Sequence, residues 1–263
     1  MGEVILVASG KGGTGKTTAT ANIGAALSGS GKLTVLVDMD MGLRNLDVAL
    51  GLESDIVYDV LDIIDGSCTL DDALIRDSRY ENLYFIPAPQ TRTLTAYNED
   101  KFKALWDTLR NRFDYCVIDA PAGVDGGFSY AMLGADRGII VTVPETAALR
   151  DADRVISIFE DEGISDVRLI INRVRVDMIN QGIMMNIDDC MDILSIPIIG
   201  IVPDDTELLV SGLKGEIAVS NPKSAAGMAF LNIAKRIEGQ SVPVMDFYIK
   251  KGIFRRFKNL FKK

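Results

Sequence analysis

The residues best placed to do chemistry are Gly10, Lys11, Gly12, Gly13, Thr14, Gly15, Lys16, Thr17 and Thr18, which follow an apolar run at 4–8. Their order satisfies G-x-x-x-x-G-K-[ST], a phosphate-binding loop. Glycines let backbone N–H groups curl around phosphate oxygens, and the helix that follows adds its positive N-terminus. In that chemistry Lys16 lies along the β- and γ-phosphates and the Thr17 hydroxyl ligates Mg²⁺.

The same stretch also spells G-x-G-x-x-G (Gly10, Gly12, Gly15), with Asp38 closing the second apolar run, which is close to a dinucleotide fingerprint. Three features favour a nucleoside triphosphate instead. Lys16-Thr17-Thr18 follows at once, a second acidic residue, Asp40, accompanies Asp38, and a further run, 115–118, ends in Asp119. An isolated aspartate after an apolar run often only caps a turn. Downstream of a phosphate loop it reads as the carboxylate that holds Mg²⁺. Pro121-Ala122-Gly123 stands where a segment sensing the γ-phosphate is expected, with Gly123 facing nucleotide.

Asn172-Arg173 ends one apolar run and Pro203-Asp204-Asp205 follows another. As plain surface turns they would need no function. No [NT]-K-x-D guanine signature stands at either place, which points to ATP.

The elements that must position these groups are short apolar runs at 4–8, 34–37, 83–86, 115–118, 138–143, 167–171 and 198–202. Helix-like stretches at 17–28, 100–112, 150–160 and 224–237 lie between or after them. Strands that read as continuous apolar runs and alternate with helices predict an α/β fold: one mainly parallel twisted sheet with helices on both faces. In such a fold ligands sit beyond the C-terminal ends of the strands, where the residues above fall. The expected organisation is one domain at 1–238, a connector at 239–246 and a tail at 247–263.

Composition narrows the chemistry further. The 263 residues include no histidine, which removes any His-based triad, general base or metal site. Cys68, Cys116 and Cys190 are widely spaced and odd in number, so neither a disulfide framework nor a metal site is expected, and a reducing compartment is. No basic leader precedes the first apolar run and no run approaches the ~20 residues of a membrane span. The expectation is a cytoplasmic protein.

The net charge of −9 conceals an asymmetry. Residues 247–263 hold seven of the 28 Lys and Arg residues and no Asp or Glu. The remaining body, with 21 basic against 37 acidic residues, should repel a nucleic-acid backbone. In the tail, Ile253, Phe254, Phe257, Leu260 and Phe261 fall on one helical stripe, ringed by Lys and Arg. A basic face beside an aromatic-rich face describes a helix lying in an anionic membrane interface. Docking of that stripe on the protein's own core is the plainer alternative.

Lys11, inside GKGGTGKT, resembles the signature lysine of the deviant Walker A (MinD/ParA) family of P-loop ATPases. The resemblance covers essentially the whole chain and is strongest to the division-site branch. It extends through Gly42-Leu43-Arg44-Asn45-Leu46-Asp47, Glu81-Asn82-Leu83-Tyr84, Gln90-Thr91-Arg92 and Arg150-Asp151-Ala152-Asp153-Arg154. Thr14 departs from the Val of many relatives. The resemblance implies that Lys11 reaches the partner's phosphates across an ATP-sandwich homodimer. It further implies that Asp40 orients the attacking water, that Asp38 supports the Mg²⁺ shell, and that hydrolysis is slow until stimulated. That Asn172, Arg173, Pro203 and Asp205 lie near the base is likewise what the resemblance implies.

It also implies attachment to the cytoplasmic face of the cell membrane, with a MinC-like inhibitor and a MinE-like regulator received near 150–154. A charged, solvated helix face would explain Arg150–Arg154 equally well. Among relatives, an iron-protein role is disfavoured because no cysteine pair lies near the switch segments. DNA partitioning is disfavoured by the acidic body, and the flagellar-number branch by the nine residues ahead of Gly10. A non-catalytic, nucleotide-dependent membrane scaffold is the remaining alternative.

Overall fold

The computed structural model describes residues 1–41, 43–92, 97–124 and 127–244. The expectations placed on the tail, including Ile253, Phe254, Phe257, Leu260 and Phe261, fall outside them.

Among the described residues eight strands form one sheet: β1 (Glu3–Ala8), β2 (Thr34–Asp38), β3 (Ile75–Arg76), β4 (Leu83–Ile86), β5 (Tyr115–Asp119), β6 (Arg137–Thr142), β7 (Val167–Val174) and β8 (Ile198–Pro203). Their spatial order is β3-β4-β2-β5-β1-β6-β7-β8, and every neighbouring pair is parallel except β3 with β4. The seven apolar runs each became a strand. The two residues of β3 are too few to show a period, and no run was expected there.

β1 shows why continuous apolar runs make central strands. Side chains alternate between faces, so Val4, Leu6 and Ala8 enter one hydrophobic cluster while Ile5 and Val7 enter the other. On the first face pack the helices Glu99–Arg112, Thr146–Asp161 and Ile187–Leu194, through Trp106, Phe159 and Cys190 among others. On the second face lie Lys16–Gly29 and Ala225–Ile237, through Ile23, Leu27, Phe230 and Ile233. Full burial of each such side chain is worth about 1.5–3 kcal/mol. The one tryptophan also satisfies its polar atom, since Trp106 Nε1 donates to the Tyr130 carbonyl at 2.9 Å.

The first part of the expected connector is fastened to the domain. Arg236 donates to the carbonyls of Ile199 at 2.7 Å and Val242 at 2.8 Å, and Val244 packs against the first cluster. Among the described residues no helix is long and apolar enough to cross a membrane.

Candidate nucleotide-binding and active site

Sheet register brings the chemistry together. β5 lies between β1 and β2, so Asp119 is registered with Val7 on one side and with Asp38 on the other. The phosphate loop leaves β1 at this edge and turns into the helix Lys16–Gly29. Gly13 and Gly15 take φ of 83° and 93°, the left-handed region that glycine enters without penalty. At Gly15 there is no room for a side chain either, because a Cβ would stand 2.2 Å from Asn172 Nδ2. Gly10 is held as closely from another direction, where a Cβ would lie 2.1 Å from the Asp151 carbonyl oxygen. The helix bearing Arg150–Arg154 thus touches the loop backbone.

Asp119 is the hub. Lys16 Nζ approaches Asp119 Oδ1 at 2.8 Å, Thr17 Oγ1 donates to Oδ2 at 2.7 Å, and Thr20 Oγ1 donates to Oδ1 at 3.0 Å. Thr20 was missed by motif reading. Its signal was present as a hydroxyl one helical turn beyond Lys16, on a face that is otherwise buried and apolar.

Asp38, fully buried, accepts from the backbone N–H of Asp40 at 2.8 Å and of Leu46 at 3.2 Å. Burial, then the neighbouring Asp119 carboxylate, push its pKa up to about 7 against those two hydrogen bonds. Asp40 is partly buried, and burial raises its carboxyl too, with Lys16 opposing and Asp119 adding. Lys11 stands exposed at the mouth of the loop. Its carbonyl accepts from Ser9 Oγ at 3.2 Å, which steadies the backbone and leaves the ammonium group directed by nothing the loop itself supplies.

The base-binding candidates converge on a cavity of about 470 Å³, lined by Gly15, Thr18, Asn172, Arg173, Pro203 and Asp205 among others. Asn172 Nδ2 donates to the Thr14 carbonyl at 2.8 Å and its Oδ1 accepts the Arg173 N–H at 2.9 Å, so Asn172 joins the cavity to the loop. Arg173 holds φ of 55°. The Asp205 carboxylate is engaged inward: it caps the helix Thr206–Leu213 through Glu207 N–H and accepts from Ser224 Oγ at 2.7 Å and Ala226 N–H at 2.9 Å. Burial raises its pKa, but these bonds outweigh burial and hold it below the usual carboxylate range. The apolar wall, Leu208 and Leu209, carried no motif and was not foreseen.

The site fits a magnesium nucleotide on its own features. Thr14 Oγ1 is buried without a partner, an unusual cost unless a ligand oxygen satisfies it. Asp38 and Asp119 place two buried carboxylates side by side, and with Thr17 the donor set is all oxygen, as a hard cation such as Mg²⁺ requires. Among the described residues no cluster of three or more Cys, Asp or Glu forms a closed metal cage. Mg²⁺ is commonly held by one or two carboxylates together with substrate phosphates.

A phosphate loop after β1, carboxylates at two adjacent strand ends and a base-sized cavity beyond β7 and β8 define a P-loop nucleotide-binding domain. Comparison with known proteins narrows the class. The description "CobQ/CobB/MinD/ParA nucleotide binding domain" matches residues 5–219. The septum site-determining protein MinD of Synechocystis is 49% identical over 94% of this chain and 93% of its own. That of Bacillus subtilis is 45% identical over 99% of this chain and 98% of its own. The chain belongs to the MinD branch of this P-loop ATPase family.

Among solved structures, MinD in the MinC:MinD complex of Aquifex aeolicus superposes with a TM-score of 0.87 at 40% identity, covering 93% of this chain and 98% of that one. MinD of Pyrococcus horikoshii, solved with Mg-ADP, gives 0.80 at 29% identity, covering 90% of this chain and 96% of that one.

Proposed function

We propose that this chain is a switch ATPase that positions the division site, cycling between a cytoplasmic monomer and an ATP-bound homodimer on the cytoplasmic face of the cell membrane. The observation that carries the reading is the buried contact of Lys16 and Thr17 with Asp119, one strand from Asp38. ATP is the substrate. Gly10 through Thr18 hold its phosphates, Gly123 closes on the γ end, and Asn172, Arg173, Pro203 and Asp205 shape the base cavity. Thr17, Asp38 and Asp119 hold Mg²⁺, which when bound neutralises phosphate charge.

Lys16 follows the charge that develops on the transferred phosphoryl group, and Asp40 orients the attacking water. Phosphoryl transfer demands positioning and charge neutralisation more than a strong base. Lys11, exposed at the mouth of the loop, supplies positive charge across the dimer interface. A lone subunit therefore lacks part of its catalytic charge, and turnover waits for pairing and for a regulator.

The helix Thr146–Asp161 is the proposed receiver of a MinC-like inhibitor and a MinE-like regulator. Arg150, Asp153 and Arg154 are exposed there, while Asp151 abuts Gly10 through backbone. A protein bound to that helix is one contact from the phosphate loop. The residues 247–263 are the proposed membrane contact. Each basic residue near an anionic surface is worth about 1 kcal/mol, while ordering each residue costs about 1–2 kcal/mol. One tail is thus marginal, and two tails on one dimer gain avidity of about 10²–10⁴.

Phosphate release and ATP binding, followed together, test the catalytic assignment. Asp40→Asn should bind ATP as the parent does and release phosphate at background rate, whereas Lys16→Ala should lose both. Unchanged phosphate release in either variant would remove these residues from the mechanism.

A further inference from the structure

We infer that Arg79 is a positioning residue for nucleotide, a clasp that fastens the segment following Asp38 and Asp40 to the rim of the base cavity. The inference rests on the ATPase reading above but uses residues remote from the phosphate loop.

Arg79 sits in the turn between β3 and β4. Its guanidinium is anchored by Asp77, which is 1% exposed, through Nε to Oδ1 at 3.0 Å and Nη2 to Oδ2 at 2.7 Å. A forked, bidentate pair of this kind fixes the plane of the guanidinium. The remaining donors reach two backbone carbonyls that are distant in sequence. Nη1 donates to Gly215 at 2.7 Å, and Nη2 donates to Leu50.

Those carbonyls belong to two segments that approach each other with no space for side chains. A Cβ on Gly51 would lie 2.9 Å from the Gly215 carbonyl oxygen, and one on Gly215 would lie 3.2 Å from Gly51 Cα. Both glycines hold φ of 65°. The seam is backbone against backbone, and backbone contact alone supplies little apolar burial to keep it closed. Arg79 spans it, and Tyr80, bonded through its hydroxyl to Ser220, closes the same junction one residue on.

Both sides of the seam lead to the site. One side is the short helix Leu46–Leu50, whose first N–H donates to Asp38 Oδ2 at 3.2 Å and whose Ala49 lines the base cavity. The other carries Gly212, Leu213, Glu216 and Ala218, all of which line that cavity. Through Arg79 a continuous set of contacts runs from Asp38 to the wall that receives the base. With the seam closed the cavity wall is set before nucleotide arrives. With it open, binding must order two loops and loses affinity for the base-bearing ligand.

The test compares full-length parent, Arg79→Ala, Arg79→Lys and Asp77→Asn for binding of ATP, ADP and inorganic tripolyphosphate, with Mg²⁺ present, and for KM and kcat. Arg79→Ala should weaken ATP and ADP binding and raise KM about tenfold, the equivalent of one lost charge-assisted hydrogen bond. Tripolyphosphate binding and kcat should stay within about twofold. A lysine cannot span a carboxylate and two carbonyls in one plane, so Arg79→Lys should fail to rescue. If Arg79→Ala does not fold, Asp77→Asn provides the same loss in milder form. Equal weakening of ATP and tripolyphosphate, or unchanged KM in a folded variant, would overturn the clasp. Failure of the parent itself to bind ATP would instead overturn the ATPase reading.

Discussion

Lys16 and Asp119 meet in the interior, Nζ to Oδ1 at 2.8 Å, with side chains only 6% and 1% exposed. The lysine that the motif assigns to phosphate is therefore paired with the carboxylate that the motif assigns to Mg²⁺. The pair resolves a problem of burial, since each charge alone in this place would be costly. On the proposed function, a magnesium nucleotide would supply each with a new partner of opposite charge.

Removing one member should therefore destabilise the ligand-free protein. Asp119→Asn keeps one acceptor oxygen, turns the other into an amide donor that faces one of the two threonine hydroxyls, and leaves a buried ammonium without its counter-charge, at a cost of about 3–5 kcal/mol. Thermal unfolding without nucleotide should show a midpoint several degrees below the parent. The double variant Lys16→Met with Asp119→Asn should recover part of the loss. An unchanged midpoint in the single variant would show that the pair contributes nothing.

Asp38 predicts a pH dependence. Its carboxyl is pushed up to about 7 in the folded state, against about 4 in an unfolded chain. Between those values the folded protein holds a proton that the unfolded chain has released, so stability falls as pH rises. The contribution is complete below about pH 4 and is lost as pH passes through about 7. Unfolding midpoints of the ligand-free protein at about pH 5 and 8 should differ more for the parent than for Asp38→Asn. Parallel behaviour of the two proteins would contradict the shift.

At Gly15, substitution by alanine meets two obstacles. The residue holds φ of 93°, and its new Cβ would fall 2.2 Å from Asn172 Nδ2. Strain of about 1–3 kcal/mol follows from the backbone alone, and Asn172 must surrender its bond to the Thr14 carbonyl. Calorimetry should register the destabilisation, and ATP affinity should fall because the loop and the base cavity share Asn172. Parental ATP affinity in Gly15→Ala would sink the coupling.

Asp205→Ala should separate stability from chemistry. It removes a helix cap and the ties to Ser224 and Ala226, a loss of about 1–2 kcal/mol. ATP binding should weaken as the cavity wall loosens, while kcat at saturating ATP is retained. A loss of kcat with binding intact would place Asp205 elsewhere in the reaction.

How far these features were legible in the sequence follows from the range of the interactions involved. Val4 to Ala8 announced a central strand because both faces of β1 are buried, and the phosphate loop announced itself because its chemistry is local in sequence. Asp119 and Asp38 were legible as strand-end carboxylates, and sheet order made them neighbours. Asn172, Arg173, Pro203 and Asp205 were nominated at the ends of apolar runs; Asn172 and Arg173 lie within β7 and Pro203 closes β8, and the inward engagement of Asp205 was not legible. Thr20, Arg79 and the seam of Gly51 with Gly215 were not legible, because each depends on partners 99, 136 or 164 positions away. Such partners become visible only when sheet order is known.

The most direct measurement is co-sedimentation with anionic vesicles, under ATP and then ADP, for the full chain and a 1–246 truncation. Pelleting of the full chain under ATP alone, with the truncation left in solution, is the predicted result and joins nucleotide switch to membrane tail. Pelleting that ignores the nucleotide, or that survives the truncation, would contradict a switch acting by pairing two marginal tails.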